Sequence, residues 1–165
     1  MARRGANKAG HVDRVVYDDP DSEPLDLRRG HIIVETPGRG FTDLTAAAGE
    51  WLDGVGAGDG LLTLFIRHTS ASLTIQENAD PDVQADLLSA LDRLAPENVP
   101  YSHTVEGPDD MPAHIKSLIT SVVISVPVAN GHMMLGTWQA LYLIEHRTAP
   151  HKRDIALMFL GRAGA

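Results

Sequence analysis

The chain has 165 residues, with 14 Lys+Arg against 22 Asp+Glu and a formal net charge of -8, the scale of one ordinary domain with room for a hydrophobic core. With 43% hydrophobic and 22% charged residues it falls outside the collagen-like and wholly disordered classes, and its acidity argues against nucleic acid or an anionic membrane as a partner, because counterion release needs a basic surface. No cysteine is present, so disulfides, thiolate nucleophiles, iron–sulfur clusters and Cys-based zinc modules are excluded, and any metal must sit on His, Asp or Glu.

Residues 1–24 are polar and rich in Pro and Asp and read as an N-terminal arm ahead of a domain over residues 25–165. Met1 to Lys8 carry charge with no apolar segment behind them, so no secretory signal is read there and the cytoplasm is the expected compartment. The β-branched run within His31–Glu35 predicts a strand, Pro37 to Gly40 a turn, and Phe41 to Leu44 a short returning strand. Thr45 is placed to cap a helix through Trp51 and Leu52, closed by the Gly-rich stretch Gly54 to Gly60. Leu61 to Arg67 alternates apolar residues on both faces, which predicts a central strand covered on both sides. The hydroxyls of Thr69, Ser70 and Ser72 follow, and Leu73 to Ile75 resume a strand pattern.

Asp80 before Pro81 predicts a capped helix carrying Val83, Leu87, Leu91 and Leu94 at helical spacing and ending near Pro96. Residues 96–112 hold five of the chain's prolines and glycines and few apolar side chains, so they read as a long functional loop. Ala113 to Leu118 reads as a short helix; Val122–Val128, Gly136–His146 and Asp154–Leu160 read as strands separated by turns at Asn130-Gly131 and Ala149-Pro150. The apolar region Leu118 to Gly136 is broken by hydroxyls, Pro127, Asn130 and His132, so it predicts no membrane span. Two or three helices with six or seven strands, the last three consecutive, predict a single compact α+β domain rather than a doubly wound fold. No Gly-x-Gly-x-x-Gly or Walker sequence supports a nucleotide fold.

Of the eight histidines, His11, His31, His132 and His151 read as surface groups. His68 closes a buried strand, where the ring either satisfies backbone or serves a site. His103 and His114 bracket a loop that also carries Glu106, Asp109 and Asp110, the densest set of ligand-type groups in the chain. Two imidazoles joined by a Pro-rich loop can close on a divalent cation with a third ligand from another element, although the spacing matches no standard zinc signature and an Asp-Asp pair in a loop is more often turn chemistry than a metal site. Lys116, Arg147, Lys152 and Arg153 either form a local basic patch for a phosphorylated small ligand or are scattered surface charges. Thr69, Ser70 and Ser72, with Gly136-Thr137, are candidate donors to phosphate oxygens; the absence of a Gly-x-Ser-x-Gly elbow argues against a serine hydrolase. His ligands with an open position would also allow metal-assisted hydrolysis, with Glu106 or Glu77 as general base.

Three stretches taken together, His68-Thr-Ser-Ala-Ser-Leu-Thr-Ile-Gln-Glu-Asn78 with Asp80-Pro81, Tyr101 to Ser117, and Gly136-Thr-Trp-Gln-Ala-Leu-Tyr-Leu-Ile-Glu-His-Arg147, resemble the YjbQ-like family over about Leu25 to Gly161. The resemblance implies an α+β fold with mixed β-sheets, assembly as a homotrimer, and a secondary thiamine-phosphate synthase activity that joins a pyrimidine diphosphate to a thiazole phosphate and releases pyrophosphate. It implies that His68, His103 and His114 converge on a divalent metal, zinc in the first place and magnesium as the other candidate. It places Glu145, His146 and Arg147 at the end of the third motif, with Glu145 joining Glu77 and Glu106 as acid–base candidates. Lys116, Arg147, Thr69 and Ser70 are expected at the phosphate end of a phosphorylated small molecule; the alternative for the third motif is that Trp138 and Gln139 simply pack or hydrogen-bond under the site.

Overall fold

The computed structural model describes residues 24–164; the arm expected over residues 1–24 lies outside the described residues except for Pro24. Strand β1 (Asp26–Thr36) turns through Pro37 into β2 (Gly40–Asp43), helix α1 (Thr45–Gly54) follows, and β3 (Ala57–Ile66) leads to β4 (Ala71–Glu77). Next come α2 (Pro81–Leu94), α3 (Asp110–Ile119), β5 (Val123–Ala129), β6 (His132–Met133), β7 (Gln139–Glu145) and β8 (His151–Ala163).

The strands form two sheets, one of five strands in the order β1-β8-β3-β5-β6 and one of three in the order β2-β7-β4. The α+β class holds, but every pairing within the two sheets is antiparallel, which replaces the mixed arrangement expected. Alternation makes the core: Leu62, Leu64 and Ile66 of β3 with Ile155, Leu157 and Phe159 of β8 face inward against Leu73 of β4 and Leu141 and Leu143 of β7, and α1 closes one side with Ala48 and Leu52. Asn130 and Gly131 adopt φ of 51° and 79°, the left-handed pair that a two-residue turn between β5 and β6 requires.

Several element boundaries move. β1 and β8 extend well beyond the predicted cores because they pair with each other along their length, Asp26 opposite Gly161 through Thr36 opposite His151. β3 begins at Ala57, inside the Gly-rich stretch read as a helix closure. Gly136 to Trp138 is a turn rather than strand, held by the Gly136 amide donating to the Gln139 side-chain carbonyl at 2.8 Å. α3 starts at Asp110, earlier than predicted, because Pro112 is tolerated within the first turn of a helix.

The largest correction concerns coverage of β3. Its inward residues are buried, but Leu61 and Phe65 are exposed, and the residues sharing their face include Leu27 and Ile33 of β1 with Met158 and Leu160 of β8, all exposed. Cross-strand partners share a face, and the register sets Leu61 and Leu27 both opposite Leu160. One side of the large sheet therefore leaves apolar residues exposed within the chain, interleaved with Arg29, His31, Thr63 and Asp154. No helix among the described residues is long and apolar enough to cross a membrane.

Candidate functional site

The early start of α3 brings Asp110 and His114 onto one helical face, since residues four apart stack on the same side. His103 reaches across from the preceding loop, its Nε2 donating to Asp110 Oδ2 at 2.7 Å, with its ring centroid 5.6 Å from that of His114. His114 Nδ1 donates to the Thr69 carbonyl at 2.9 Å. That bond fixes the tautomer, so Nε2 of the neutral ring turns a lone pair toward Asp110 Oδ2 at 3.4 Å. Imidazole nitrogen and carboxylate oxygen are both acceptors there, and a cation between them converts repulsion into coordination. One donor atom from each of His103, Asp110 and His114 lies within 4.8 Å of the others, a span that ligands of one ion can close.

The carboxylate at the base of this cluster is held from behind. Arg147 is buried; it donates from Nη1 to Asp110 Oδ1, from Nε to Asp109 Oδ2 at 3.2 Å and from Nη2 to the Glu106 carbonyl at 2.7 Å. Burial works to raise the Asp109 carboxyl, but the Thr148 amide and hydroxyl and the Arg147 guanidinium outweigh it and hold it at about 2. One layer deeper, Glu145 is fully buried and accepts from Arg153 Nε at 2.7 Å and Nη2 at 2.6 Å, from the Thr36 hydroxyl at 2.9 Å and from the Arg147 amide at 2.9 Å. Burial pushes this carboxyl up and those donors pull it down further, so it lies below the ordinary glutamate range. The two histidines and Asp110 thus stand on a continuous carboxylate–guanidinium foundation, the outer support that fixes a ligand set.

The geometry redistributes the expected roles. His103 and His114 come together, but the third member of the cluster is Asp110 rather than His68, whose Nε2 accepts from the Asp154 amide at 2.9 Å. His68 still shares a groove with His114 and with Thr69. Ser70 accepts from Arg153 Nη2 at 3.1 Å and is buried, and Ser72 is hydrogen-bonded to His146 Nε2 at 2.9 Å, so neither hydroxyl is open to a ligand within the chain. Lys116 is almost wholly buried beneath α3 and pairs with Asp92 of α2 at 2.5 Å; Arg147 is committed to Asp109 and Asp110. Both expected phosphate cations therefore serve carboxylates of the fold. Of the acid–base candidates, Glu145 is saturated, Glu106 is exposed with its carboxylate 3.7 Å from Arg147 Nη1, and Glu77 ends β4 at the side away from Thr69, about 20 Å along the strand at 3.3 Å per residue. Glu77 lines a separate cavity with Trp138 and Gln139, so this pair lies away from the histidine cluster rather than beneath it.

Asp110 is the residue sequence reasoning left among the ligand-type groups of the loop without singling out. The signal for it is the Asp-x-x-x-His spacing of Asp110 and His114, which becomes a shared face once the helix begins at Asp110. Arg67 was likewise passed over: it lines the groove beside His68 and is exposed, with Nη1 donating to Asp154 Oδ2 at 2.8 Å.

Comparison with known proteins gives a consistent result. A family model described as UPF0047 protein YjbQ-like matches residues 30–162. A UPF0047 protein of Synechocystis sp. is 44% identical over 131 residues, covering 79% of this chain and 89% of that one; the UPF0047 protein YjbQ of Salmonella typhimurium is 44% identical over 124 residues, covering 74% and 90%. Among solved structures, an uncharacterized YjbQ/UPF0047 protein of Clostridium acetobutylicum superposes with a TM-score of 0.72 at 35% identity over 78% of this chain and 98% of that one. A YbjQ-like protein of unknown function from Sulfolobus solfataricus gives 0.77 at 21% identity over 84% and 99%, a likeness of fold.

Proposed function

The chain belongs to the UPF0047 YjbQ-like family, and on that premise we propose that it binds a divalent cation through His103, Asp110 and His114 and acts there on phosphorylated small molecules, with thiamine-phosphate synthesis as the nearest named reaction. The observation that carries this reading is the facing of His114 Nε2 and Asp110 Oδ2 at 3.4 Å with His103 alongside. The donor set suits zinc, which takes imidazole and carboxylate ligands, and magnesium is the less suited ion because it prefers oxygen. A cation bound there would neutralise phosphate oxygens and assist departure of a phosphorylated leaving group.

The chain's own residues would do the rest. Arg147 orients Asp110 and tethers the His103 loop through the Glu106 carbonyl, the Thr69 carbonyl fixes His114, and Thr69, which lines the adjoining groove, would offer its hydroxyl to phosphate. A hydrolytic variant of the same chemistry is favoured by one observation, the exposed Glu106 carboxylate on the loop that Arg147 anchors, placed 3.7 Å from Arg147 Nη1 as a candidate general base. We further propose that the protein is a homotrimer whose copies cover the exposed apolar residues of the large sheet, and that it works in the cytoplasm, where phosphorylated small molecules are made.

The test is metal content after zinc loading and desalting. The native chain should retain about one zinc per chain, His103→Ala and Asp110→Asn should lose it, and pyrophosphate release from the pyrimidine and thiazole phosphates should fall with the metal. Native zinc content in both variants would overturn the metal reading.

A further inference from the structure

Beside His114 the end of β3, the loop through Thr69 and α3 enclose a groove of about 760 Å³, within the range of small-molecule sites. Its walls divide by chemistry. Met111, Ile115 and Leu118 of α3 face Phe65 and Val122, and the polar groups, Arg67, His68 and Thr69, gather with His114 on the loop side. Leu118 is 83% exposed and Phe65 46%, a costly amount of apolar surface to leave to water. His68 accepts the Asp154 amide at Nε2, so its ring proton sits on Nδ1, and burial first, then Arg153, lowers its basicity and keeps it a neutral donor. The polar end of the groove, where Arg67 also pairs with Asp154 at 2.8 Å, is thus contiguous with the His103–Asp110–His114 cluster, and the opposite wall is hydrocarbon.

We propose that this groove receives the organic body of the ligand, so that the preferred ligand is an anion carrying a flat or aliphatic hydrophobic group, of the aryl or alkyl phosphate class, with its anionic head toward Arg67, His68 and the cluster. The placement of the head rests on the metal reading given above; the placement of the body rests on the groove alone. Charge complementarity selects the head and the apolar wall selects the body, which disfavours sugar phosphates and bare pyrophosphate: their hydroxyls or second charge would be set against Met111 and Leu118 without hydrogen-bond partners.

The test uses the full chain loaded with zinc and two probes, phenyl phosphate and inorganic phosphate, by calorimetry. Phenyl phosphate should bind at least tenfold more tightly. Ile115→Trp, which fills the groove, should abolish that preference while leaving zinc content and phosphate binding unchanged; Leu118→Glu, at an exposed position that folding tolerates, should weaken phenyl phosphate in the same direction by charge. Methyl NMR of Met111 and Ile115 with benzyl alcohol reads the groove without the metal. Shifts at those methyls in zinc-free protein would support the groove whatever the metal does, and a chain that retains no zinc after loading would overturn the metal reading alone. Equal affinity for the two phosphates in zinc-loaded protein, or no methyl shift with either aromatic probe, would overturn the groove.

Discussion

Ser72 and His146 share a hydrogen bond at 2.9 Å with both side chains buried, and His146 Nδ1 has no partner. Protonation would leave a second N–H in the interior with nothing to receive it. Burial, then the charge of Lys116, accordingly lowers this imidazole to about 4. An unfolded histidine titrates near 6.5, so between those values the unfolded chain holds the extra proton and the folded chain does not. The stability this residue preserves is complete above pH ~6.5 and is lost as pH falls toward ~4, by about 1.4 kcal/mol per pH unit for one proton. Urea unfolding at pH 7, 6 and 5 should show that decline, and His146→Gln should flatten it by about one proton; an unchanged slope would refute the assignment. At this scale the sequence discloses residue types better than their partners. The His103 and His114 motif is visible, and so are Lys116 and Arg147 as cations, but the carboxylates that capture them, Asp92 for Lys116 and Asp109 and Asp110 for Arg147, are brought together only by tertiary folding. A cation beside a ligand-rich loop looks the same in sequence whether it waits for phosphate or props up an aspartate.

Among the elements, α2 was the most legible and is the least embedded. Asp80 caps it as expected, Oδ1 accepting the Asp82 amide at 2.9 Å with Pro81 following, yet none of its residues is buried. Its apolar stripe lies half against the chain, so the helix depends unusually on its cap and on the Asp92–Lys116 pair. Asp80→Ala should cost about 1 kcal/mol, seen as a lower urea midpoint at unchanged m-value, with hydrogen exchange accelerated first at the Asp82 amide. If Asp82 keeps its protection, the cap does not anchor the helix. Strand ends were less legible: β1 and β8 run past their apolar cores because a long antiparallel ladder satisfies backbone groups whatever the side chains are, and Gly136 to Trp138 looks like strand in sequence because its turn is closed by Gln139 alone, whose amide donates to the Gly136 carbonyl at 2.9 Å while its side chain accepts the Gly136 amide.

The whole molecule carries a contradiction that one copy cannot resolve. The two-sided alternation of β3 reads as a strand covered on both faces, and the chain covers only one. Leu27, Ile33, Leu61, Met158 and Leu160 lie on one face of the kind that marks association. Light scattering at micromolar concentration should give three times the chain's 17.8 kDa, and Met158→Glu, on the face but away from the histidine cluster, should shift the mass toward one chain; a monomeric native protein would remove the trimer. The order of the large sheet has a consequence in time as well as space. β8, the last of the described elements, lies between β1 and β3 and is the only partner of β1 among the described residues. A ribosome must therefore synthesise β8 before β1 finds that neighbour, and until then the nascent chain presents an unclosed sheet. On a crowded polysome, copies of the same message extend identical open edges beside one another, so pairing between neighbouring nascent chains competes directly with completion of each fold.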